Sequence, residues 1–575
     1  MKKQIEEEIK QYTTRSIPIS EGNDFSQLKL TQRITQFENK IYPTGKFTKA
    51  GDYKYWFEII NPRIDSEVKN VDFDTKDISV EPSPPYKKTD ELPCLVTNLR
   101  LGEYLRDTGQ SEEINSGIEE GAGWGNIVWK KIKGGYERVD LKNFYVINQT
   151  ARDLTNSPVI ERHPLSQSDL REKISVWKNV EKVIDECGED SYKSTQETTS
   201  FETTVPYYEI FERNGEVSLK SLKEEKGEKV MKGDENKYVL AKVIVAAVKG
   251  QNSPEIKYIL YADEISKMPY KEYHRGRYKG RWWREGIYEL LFDLQVRANQ
   301  IGNELAQGLS WSAKVFFTSK DKLIIQNILT DLNNGDIIQA EDIRQIEVRM
   351  QGFDQLANEW NRVIEQANDL ANSREVVQGI TPPSGTPLGT TRMLDINANK
   401  LFDFIREKLA IPFREIFEEW IIPELIKEIK TQDIIRLTGD TDTLGRLYEL
   451  AVNSWYLKNL ISIGPHTKEF ADDIKDQKMT ELSKRPQFLL KLLKDAFKGF
   501  KPKAKVVITG ENSTRTERLQ NLASFISLET DPVRRSYLIE RAMRMSGMDV
   551  GDMPKSEPAP VAPVRPEPAK TEISV

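Results

Sequence analysis

The sequence predicts an α+β protein whose N-terminal half is rich in strands and whose C-terminal half is built from long helices. Residues alternate between apolar and polar around Gly134-Gly135 and around Asn214-Gly215, as in antiparallel strands joined by tight turns. After Pro269 the apolar residues instead recur every three or four positions, which is the period of a helix. This change of period separates a strand-rich part from a helical part.

Length, charge and hydropathy limit the class of protein. A chain of 575 residues exceeds one ordinary domain, so several domains or one large elongated subunit are expected. Its 84 Lys and Arg residues against 90 Asp and Glu residues give a net charge of −6, which argues against tight binding of nucleic acid by charge alone. No apolar run approaches the roughly 18 residues that suggest a membrane span. We therefore expect no membrane partner.

The cysteines and histidines are few and lie far apart. The two cysteines, Cys94 and Cys187, predict no disulfide framework and favour assembly in a reducing, intracellular compartment. The three histidines, His163, His274 and His466, are each expected to be a surface or core residue rather than a metal ligand. We therefore expect neither a metal centre nor a cofactor.

The first 50 residues are predicted to form an exposed helical arm. Their start, MKKQIEEEIKQY, is charged where a signal peptide needs an apolar core. The strand pattern then continues to about residue 280 and includes a third strand pair around Gly250–Pro254. Much later, KAKVVITGENS (503–513) predicts one more strand followed by a turn.

Two segments carry a narrow apolar seam at helical spacing, 281–311 and 352–377. A helix of 25 residues is about 37 Å long. So narrow an apolar stripe is typical of a helix that packs against a partner helix and against copies of itself. The alternative is a long surface hairpin in a monomer. The residues expected to pack in this way are Leu290, Leu294, Ile301, Leu305, Phe353, Leu356, Trp360, Val363 and Leu370.

A loop rich in glycine and proline, QGITPPSGTPLGTT (378–391), follows the second seam. Its three prolines and three glycines forbid a helix, because proline lacks a donor and glycine costs backbone entropy. It is not a phosphate-binding P-loop, since Thr386 stands where a lysine is needed and the loop joins two helices. The next segment predicts a helix kinked at Pro412 and Pro423.

The stretch YHRGRYKGRWWRE (273–285) is strongly basic and aromatic. One interpretation is contact with nucleic-acid phosphates, aided by stacking. The other is a buried subunit contact or an anchor for the start of the next helix, which the abundance of arginine and aromatic residues in interface cores favours. The residues concerned are Arg275, Arg277, Arg281, Trp282, Trp283 and Arg284.

The sequence contains no recognisable catalytic motif, neither a zinc-protease HExxH nor a nucleophile elbow. Asp440 and Asp442 lie in a turn that in principle suits a divalent cation, although a paired-aspartate turn is usually only a turn. We therefore expect a protein that is not an enzyme. A nucleic-acid-processing enzyme that uses these aspartates and the 273–285 stretch remains an alternative.

The order of these segments resembles the portal proteins of tailed bacteriophages over roughly residues 50–550. The most specific stretch is PYKEYHRGRYKGRWWREGIYELLFDLQVRANQIGNEL (269–305), which is similar to the portal segment that opens the first stem helix. Segments 55–73 and 139–163 are similar to wing segments of portals. The pair Trp282-Trp283 departs from the family, in which smaller or single aromatic residues are expected. The matching residues are Gly280, Arg281, Gly286, Leu291, Asp293, Leu294, Gln295 and Asn299.

The resemblance implies a portal-like subunit with a strand-rich wing, a two-helix stem, a small α/β clip, a kinked helix after a tunnel loop, and a helical crown. The implied divisions are an N-terminal arm 1–50, the first part of the wing 51–280, stem helix 281–311, clip 312–351, stem helix 352–377, tunnel loop 378–391, kinked helix and second part of the wing 392–515, crown 516–551, and a Pro-rich tail 552–575 that is expected to be disordered.

The resemblance also implies a function: a ring of about twelve subunits at one capsid vertex, through which double-stranded DNA is packaged and ejected without sequence-specific contact. Implied partners are the major capsid protein, the terminase large subunit, head–tail adaptor proteins and scaffolding protein, with assembly in the host cytoplasm and residence in the virion. Another oligomeric virion protein, such as a tail hub or adaptor, is the alternative. The implied tunnel-loop residues are Gly379, Thr381, Pro382, Pro383, Ser384, Gly385, Thr386, Pro387, Gly389 and Arg392.

Overall fold

The structure, a computed structural model, is a mixed α+β chain, as the sequence predicts. Its contacts divide it into two units, Met1–Ile508 and Thr509–Val575. In the second unit, residues 522–528 are helical. The residues that the structure describes are 1–14, 16–20, 23–42, 44–47, 53–71, 78–83, 87–155, 157–187, 207–248, 254–313, 316–318, 344–346, 352–371, 388–428, 441–463, 467–484, 492–493, 495–498, 500–506, 522–529, 535, 538–539 and 542.

The long helices and the strands lie in the first unit. The helices are α1 (Lys2–Thr14), α2 (Gln27–Glu38), α3 (Asn61–Val71), α4 (Glu91–Asp107), α5 (Gln110–Trp124), α6 (Gln167–Glu172), α7 (Val180–Cys187), α8 (Leu219–Lys226), α9 (Ile287–Ala313), α10 (Phe353–Leu370), α11 (Leu388–Ile416), α12 (Ile422–Glu428), α13 (Thr441–Ile463) and α14 (Lys468–Lys484). Short 3-10 turns cover Lys88–Asp90, Leu141–Asn143 and Asp234–Asn236.

Within the described residues, the strands form five antiparallel sheets, in the orders β1-β2, β10-β9-β8-β7-β6, β11-β4-β5, β12-β13 and β14-β3. The strands are β1 (Ile17–Ser20), β2 (Asn23–Phe25), β3 (Ile78–Pro82), β4 (Asn126–Ile132), β5 (Gly135–Arg138), β6 (Phe144–Val146), β7 (Val159–Leu165), β8 (Tyr208–Ser218), β9 (Tyr238–Val248), β10 (Glu255–Glu264), β11 (Tyr270–His274), β12 (Phe316–Thr318), β13 (Arg344–Ile346) and β14 (Pro502–Val506).

Two of the three predicted strand pairs are confirmed. Strands β4 and β5 pair with Ile132 opposite Gly135, and Gly134 in the turn has φ +84°, which glycine adopts without strain. Strands β9 and β10 pair around the predicted turn at Gly250–Pro254. The late strand is confirmed as β14, which pairs with β3 and so joins the two parts of the chain that we assigned to the wing.

The predicted turn at Asn214-Gly215 is wrong, because strand β8 runs straight through both residues. The Asn214 side chain is buried and donates hydrogen bonds to Glu212 and to the Tyr270 hydroxyl. A Cβ on Gly215 would lie 2.8 Å from Pro158, so the glycine allows a close approach of neighbouring chain. The Asn-Gly pair therefore reports packing and not a turn.

The predicted exposed arm is also wrong, because α1 packs onto the five-stranded sheet. Ile5 and Ile9 are buried in the same apolar cluster as strand residues of β8 and β9. Arg213 on β8 is buried and makes two hydrogen bonds, of 2.6 and 2.7 Å, to the carboxylate of Glu8. Most charges of this amphipathic helix face solvent, whereas Glu8 and the narrow apolar stripe face the sheet.

The two central sheets meet through buried charges. Lys130 on β4 lies 2.7 Å from Glu161 on β7 and 3.0 Å from Glu212 on β8. Burial opposes ionisation of Glu212, but the charges of Lys130 and Lys242 outweigh it and lower the pKa of Glu212 to about 2. A buried cation between two carboxylates fixes how the sheets meet, since leaving any member unpaired would be costly.

The long helix after the glycine–proline loop is interrupted rather than broken. Pro412 lies inside α11, and a π-helical turn, Phe417–Ile421, separates α11 from α12, in which Pro423 is the second residue. The π turn is the irregular pattern of main-chain hydrogen bonds that is expected beside a proline, which cannot donate one. Phe413 and Phe417 pack on Trp129 and Tyr136, so this segment lies against the β4-β5 hairpin.

Replacing Glu8 with alanine tests how α1 is held. The change leaves the Arg213 guanidinium buried without its carboxylate, and losing one partner of a buried pair costs about 3–5 kcal/mol. We expect α1 to detach and the first 15 residues to be cut faster in limited proteolysis. Glu7→Ala, at an exposed position of the same helix, is the matched control. Equal cleavage of both variants would contradict this account of α1.

Candidate functional site

The two seamed segments form a pair of helices that pack side by side, α9 and α10. At 1.5 Å per residue, the 27 residues of α9 span about 40 Å and the 18 residues of α10 about 27 Å. The seam is partly closed within the subunit: Ile301 and Val363 are buried, whereas Leu290, Leu294, Leu305, Leu356 and Trp360 are half-buried, and Phe353 and Leu370 are exposed.

The helix boundaries differ from the predicted ones at several ends. The first helix begins at Ile287, not at residue 281, and extends to Ala313, two residues into the predicted clip. The second begins at Phe353. Strands β12 and β13 pair antiparallel in the predicted clip, so the chain turns back between the two helices.

A row of amide side chains on α9 holds an extended segment of the chain, residues 55–59. Gln295, Asn299 and Asn303 follow one another at intervals of four residues and so lie on one face of the helix. Their side-chain oxygens accept the main-chain N–H groups of residues 59, 57 and 55, at 3.0, 2.8 and 2.8 Å. This amide row therefore replaces the neighbouring strand that an extended segment ordinarily needs.

The clamped segment also contacts α10. The Phe57 ring packs edge-on against Trp360 with the ring centroids 5.4 Å apart. The same ring lies over Gly302, where an added Cβ would lie within 3.0 Å of it. Arg63 donates one hydrogen bond to the Ile59 carbonyl and another, of 2.6 Å, to Asn368 on α10. The segment thus fixes the distance and orientation of both helices.

The start of α9 is held by a close crossing of two chain segments. A Cβ on Gly286 would lie within 3.0 Å of the Gly123 carbonyl oxygen and of the main chain at Trp124 and Gly125. Gly125 has φ +84° and ends α5 in the left-handed conformation. Only glycine allows this approach.

The basic aromatic stretch, residues 273–285, is mostly buried at the start of α9, which we call the base of α9. Trp282 and Trp283 are fully buried, and the Trp282 indole donates a 2.6 Å hydrogen bond to Glu272. Each of two arginines makes a bidentate contact with one carboxylate, Arg275 with Glu67 and Arg281 with Glu289. These contacts favour the anchor interpretation for four of the six residues. Of the other two, Arg284 is buried and Arg277 is exposed.

Several predicted site residues lie outside the described residues. They include the tunnel-loop residues from Gly379 to Pro387, most of the clip, Asp440 and the Pro-rich tail. The helix α11 begins at Leu388, so residues 388–391, including Gly389, are helical and not part of a loop, as we had assigned them. Arg392 lies in the first turns of the same helix.

A groove of about 660 Å³ runs between α2 and α9. It is lined by the aromatic residues Phe37, Tyr42 and Trp56 and by three cations, with Val296 of α9 exposed at its edge. The cations are Lys29, Arg33 and Lys54. Further along α9, Leu309 is 56% exposed. The described part of α9 therefore leaves apolar side chains uncovered both at the groove and near its C-terminal end.

Within the described residues, one set of side chains has metal-ligating types in mutual reach: Glu161, His163 and Glu212. The Lys130 ammonium already lies between the two carboxylates, so the group is neutralised by a side chain. Burial, above all, lowers the pKa of His163 and keeps it neutral at pH 7. This geometry describes an internal ion cluster joining two sheets.

A second group of charges lines a cavity of about 610 Å³ between α3, α5 and the base of α9. Its wall contains more carboxylates than cations, and burial raises the pKa of Glu120 to about 8 although the charge of Arg138 opposes the shift. Glu120 nevertheless lies 3.1 Å from Arg138, which it pairs with when ionised. The carboxylates lining it are Glu38, Asp65, Glu119, Glu120 and Asp140.

Sequence reasoning found the seam but missed the amide row and the segment that it holds. In the sequence, only the family resemblance marks Gln295 and Asn299, and it does not include Asn303. The available signal was the spacing itself: three amides at four-residue intervals beside an apolar seam. An amide in that position is favoured when it satisfies buried main-chain groups.

Comparison with known proteins adds no relative. The chain matches no protein-family model and no curated protein at a significant level. Among the described helices, none combines the length and hydropathy that crossing a membrane requires.

Asn299→Leu tests the amide row. Leucine has a similar size but cannot accept the Phe57 N–H, and a buried donor without a partner costs about 1–3 kcal/mol. We expect the main-chain amides of residues 55–59 to exchange hydrogen roughly ten times faster or more in hydrogen-exchange mass spectrometry. The matched control is Gln300→Leu, at the exposed next position. Unchanged exchange in Asn299→Leu would show that the row does not hold the segment.

Gly286→Ala tests the close crossing at the base of α9. The methyl group would collide with main-chain atoms of residues 123–125, which no rotamer change can relieve. We expect a marked fall in the thermal unfolding midpoint. Gly280→Ala is the control, because Gly280 has φ +75° but open space around it, so its cost is limited to about 1–2 kcal/mol of backbone strain. A larger fall in the control would refute the crossing as the critical contact.

Proposed function

We propose that this chain is the subunit of a phage portal, a ring at one capsid vertex through which double-stranded DNA enters and leaves. The observation that carries the proposal is the order of α9, the paired strands β12 and β13, and α10: two long adjacent helices joined by a small antiparallel sheet. That order is the stem–clip–stem order of the family that the sequence resembles. The long helix α11 follows, as the family layout requires.

Ring assembly is supported by what the paired helices leave uncovered. Val296 and Leu309 on α9 and Phe353 and Leu370 on α10 are exposed apolar residues on helices whose inner seam is only half-buried. A helix pair of this kind gains stability when further helices cover it. Repeated head-to-tail contact between identical subunits closes into a ring when the rotation between neighbours divides a full turn.

The charge of the chain suits a conduit better than a tight binder. Each phosphate that a protein neutralises adds affinity for DNA, so a channel rich in cations would slow the moving duplex. A subunit with a net charge of −6 and an uncharged tunnel loop that ends at Pro387 avoids this. In this proposal the protein has no catalytic step of its own, and the terminase large subunit, docked on the ring, supplies the work of packaging.

Further partners follow from the position of such a ring. The major capsid protein would surround the wing, scaffolding protein would assist assembly, and head–tail adaptor proteins would replace the motor after packaging. Assembly would take place in the host cytoplasm and the finished ring would reside in the virion. The stiff, kinked loop would project into the channel from the end of the second stem helix, with Arg392 as its nearest cation.

Native mass spectrometry of the purified full chain tests the proposal. Twelve chains of 66.2 kDa would give a particle of about 790 kDa. We expect Leu309→Asp to leave a folded protein of monomer mass, because a charge at an exposed stem position would oppose contact between neighbouring helices. Val176→Asp, at an apolar position 62% exposed and remote from the stem in sequence, is the control and should still assemble. A wild-type chain that remains a monomer and cuts DNA would refute the proposal.

A further inference from the structure

An excess of positive charge surrounds residues 275–280, the loop that leads into the base of α9. Arg284 is only 4% exposed, and its guanidinium donates hydrogen bonds to the main-chain carbonyls of Arg281 and Arg152. Lys408 on α11 is half-buried beside it and donates to the carbonyl of Arg275 at 3.1 Å. Both cations are therefore held in place by main-chain oxygens.

No carboxylate in the described part of the chain forms an ion pair with either cation. The acidic residues near the loop are already engaged: Glu67 pairs with Arg275, and Glu285 pairs with Lys279 at 2.6 Å. Glu272 accepts hydrogen bonds from the Trp282 indole and, at 2.9 Å, from the main chain of residue 154. Main-chain oxygens satisfy donors but do not cancel a charge, so the cations of this loop remain in excess.

The titration of these groups reflects the same imbalance. Burial, followed by the positive charges of Arg284 and Arg275, lowers the pKa of Lys408. Burial also lowers the pKa of Arg284, and the charge of Glu272 only partly opposes it. Folding therefore holds two like charges together against their mutual repulsion, an arrangement that a bound anion would relieve.

The loop is open to solvent beside Arg284. Arg277 is exposed, and Tyr278 is 48% exposed. The Tyr278 ring lies 4.6 Å from the Arg284 guanidinium, and its hydroxyl donates a 2.8 Å hydrogen bond to the carbonyl of Thr150. The loop thus presents the exposed Arg277 beside the shielded Arg284 and Lys408, and the exposed side chain of Arg152 adds a further cation, whereas Lys279 is paired with Glu285.

We propose that the loop surface at Arg277, Tyr278 and the half-buried Lys408, with the buried Arg284 guanidinium behind it, binds a phosphate group. A phosphate has the charge and the several acceptor oxygens to contact an arginine and a lysine together, whereas a carboxylic acid side chain offers only two oxygens. The phosphodiester of duplex DNA and free inorganic phosphate share this chemistry. The site belongs to one subunit, so it stands or falls independently of ring assembly.

Binding of a labelled 20-base-pair duplex to the full chain, followed by fluorescence anisotropy between 50 and 200 mM salt, is the first arm of the test. We expect Arg277→Gln/Lys408→Met to weaken binding about tenfold or more at low salt. Because each neutralised phosphate contributes about 0.9 to the slope of log K against log salt, and both cations contact the same phosphate, the slope should fall in magnitude by about 1. Lys408→Arg, which keeps the charge, should restore most of the affinity.

Controls separate this site from general charge effects. Lys220→Gln removes one charge at an exposed position that pairs with Glu235, and should change the affinity less than twofold. Arg277→Gln alone decides the matter if Lys408→Met unfolds the loop, since Arg277 is exposed and no described residue pairs with it. Affinity unchanged in Arg277→Gln would overturn the proposal.

The second arm distinguishes the source of the phosphate. Inorganic phosphate is titrated into the wild type and the double variant and followed by calorimetry. Phosphate binding that the variant loses, with no duplex binding by the wild type, supports the site and assigns it to the free anion. Duplex binding that the variant loses assigns it to the DNA backbone. Binding of both ligands with no difference between wild type and variant would refute the site.

Discussion

The row of amides on α9 is the interaction on which the arrangement of the paired helices depends. Gln295, Asn299 and Asn303 give an extended segment the hydrogen bonds of a strand while remaining part of a helix. Because Phe57 and Arg63 carry the contact onward to α10, one short segment determines where both helices lie. The position of α9 is therefore fixed by these hydrogen bonds as well as by the narrow apolar seam.

The base of α9 supplies the second constraint and explains the composition of its lead-in. Arginines that resemble a nucleic-acid patch in sequence are paired with Glu67 and Glu289, and two buried tryptophans pack on Phe144 and Trp124. Arg284 and its neighbour Lys408 differ from them, since main-chain oxygens hold them and their charge stays uncancelled. The same short stretch thus combines an anchor with a positively charged surface.

Local sequence signals predicted the elements well where backbone geometry decides them. The helical period gave α9 and α10, and the glycine turn at Gly134 gave the β4-β5 hairpin. Signals failed where distant contacts decide: Asn214-Gly215 continues a strand because its neighbours are Tyr270 and Pro158, and α1 is covered because a sheet lies beneath it. No local sequence pattern shows which distant residue an amide or arginine side chain will contact. The candidate tunnel loop up to Pro387 remains a prediction, because that part lies outside the described residues.

The central claim is that α9 and α10 pack against the same helices of neighbouring subunits in a ring. Electron micrographs of the purified full chain test it most directly. The account predicts class averages of closed rings with a central hole and about twelve-fold symmetry, with rod-like density of the stem lining the hole, each rod about 40 Å long as the 27 residues of α9 require. Compact particles without a hole, from protein that is folded by circular dichroism, would contradict it.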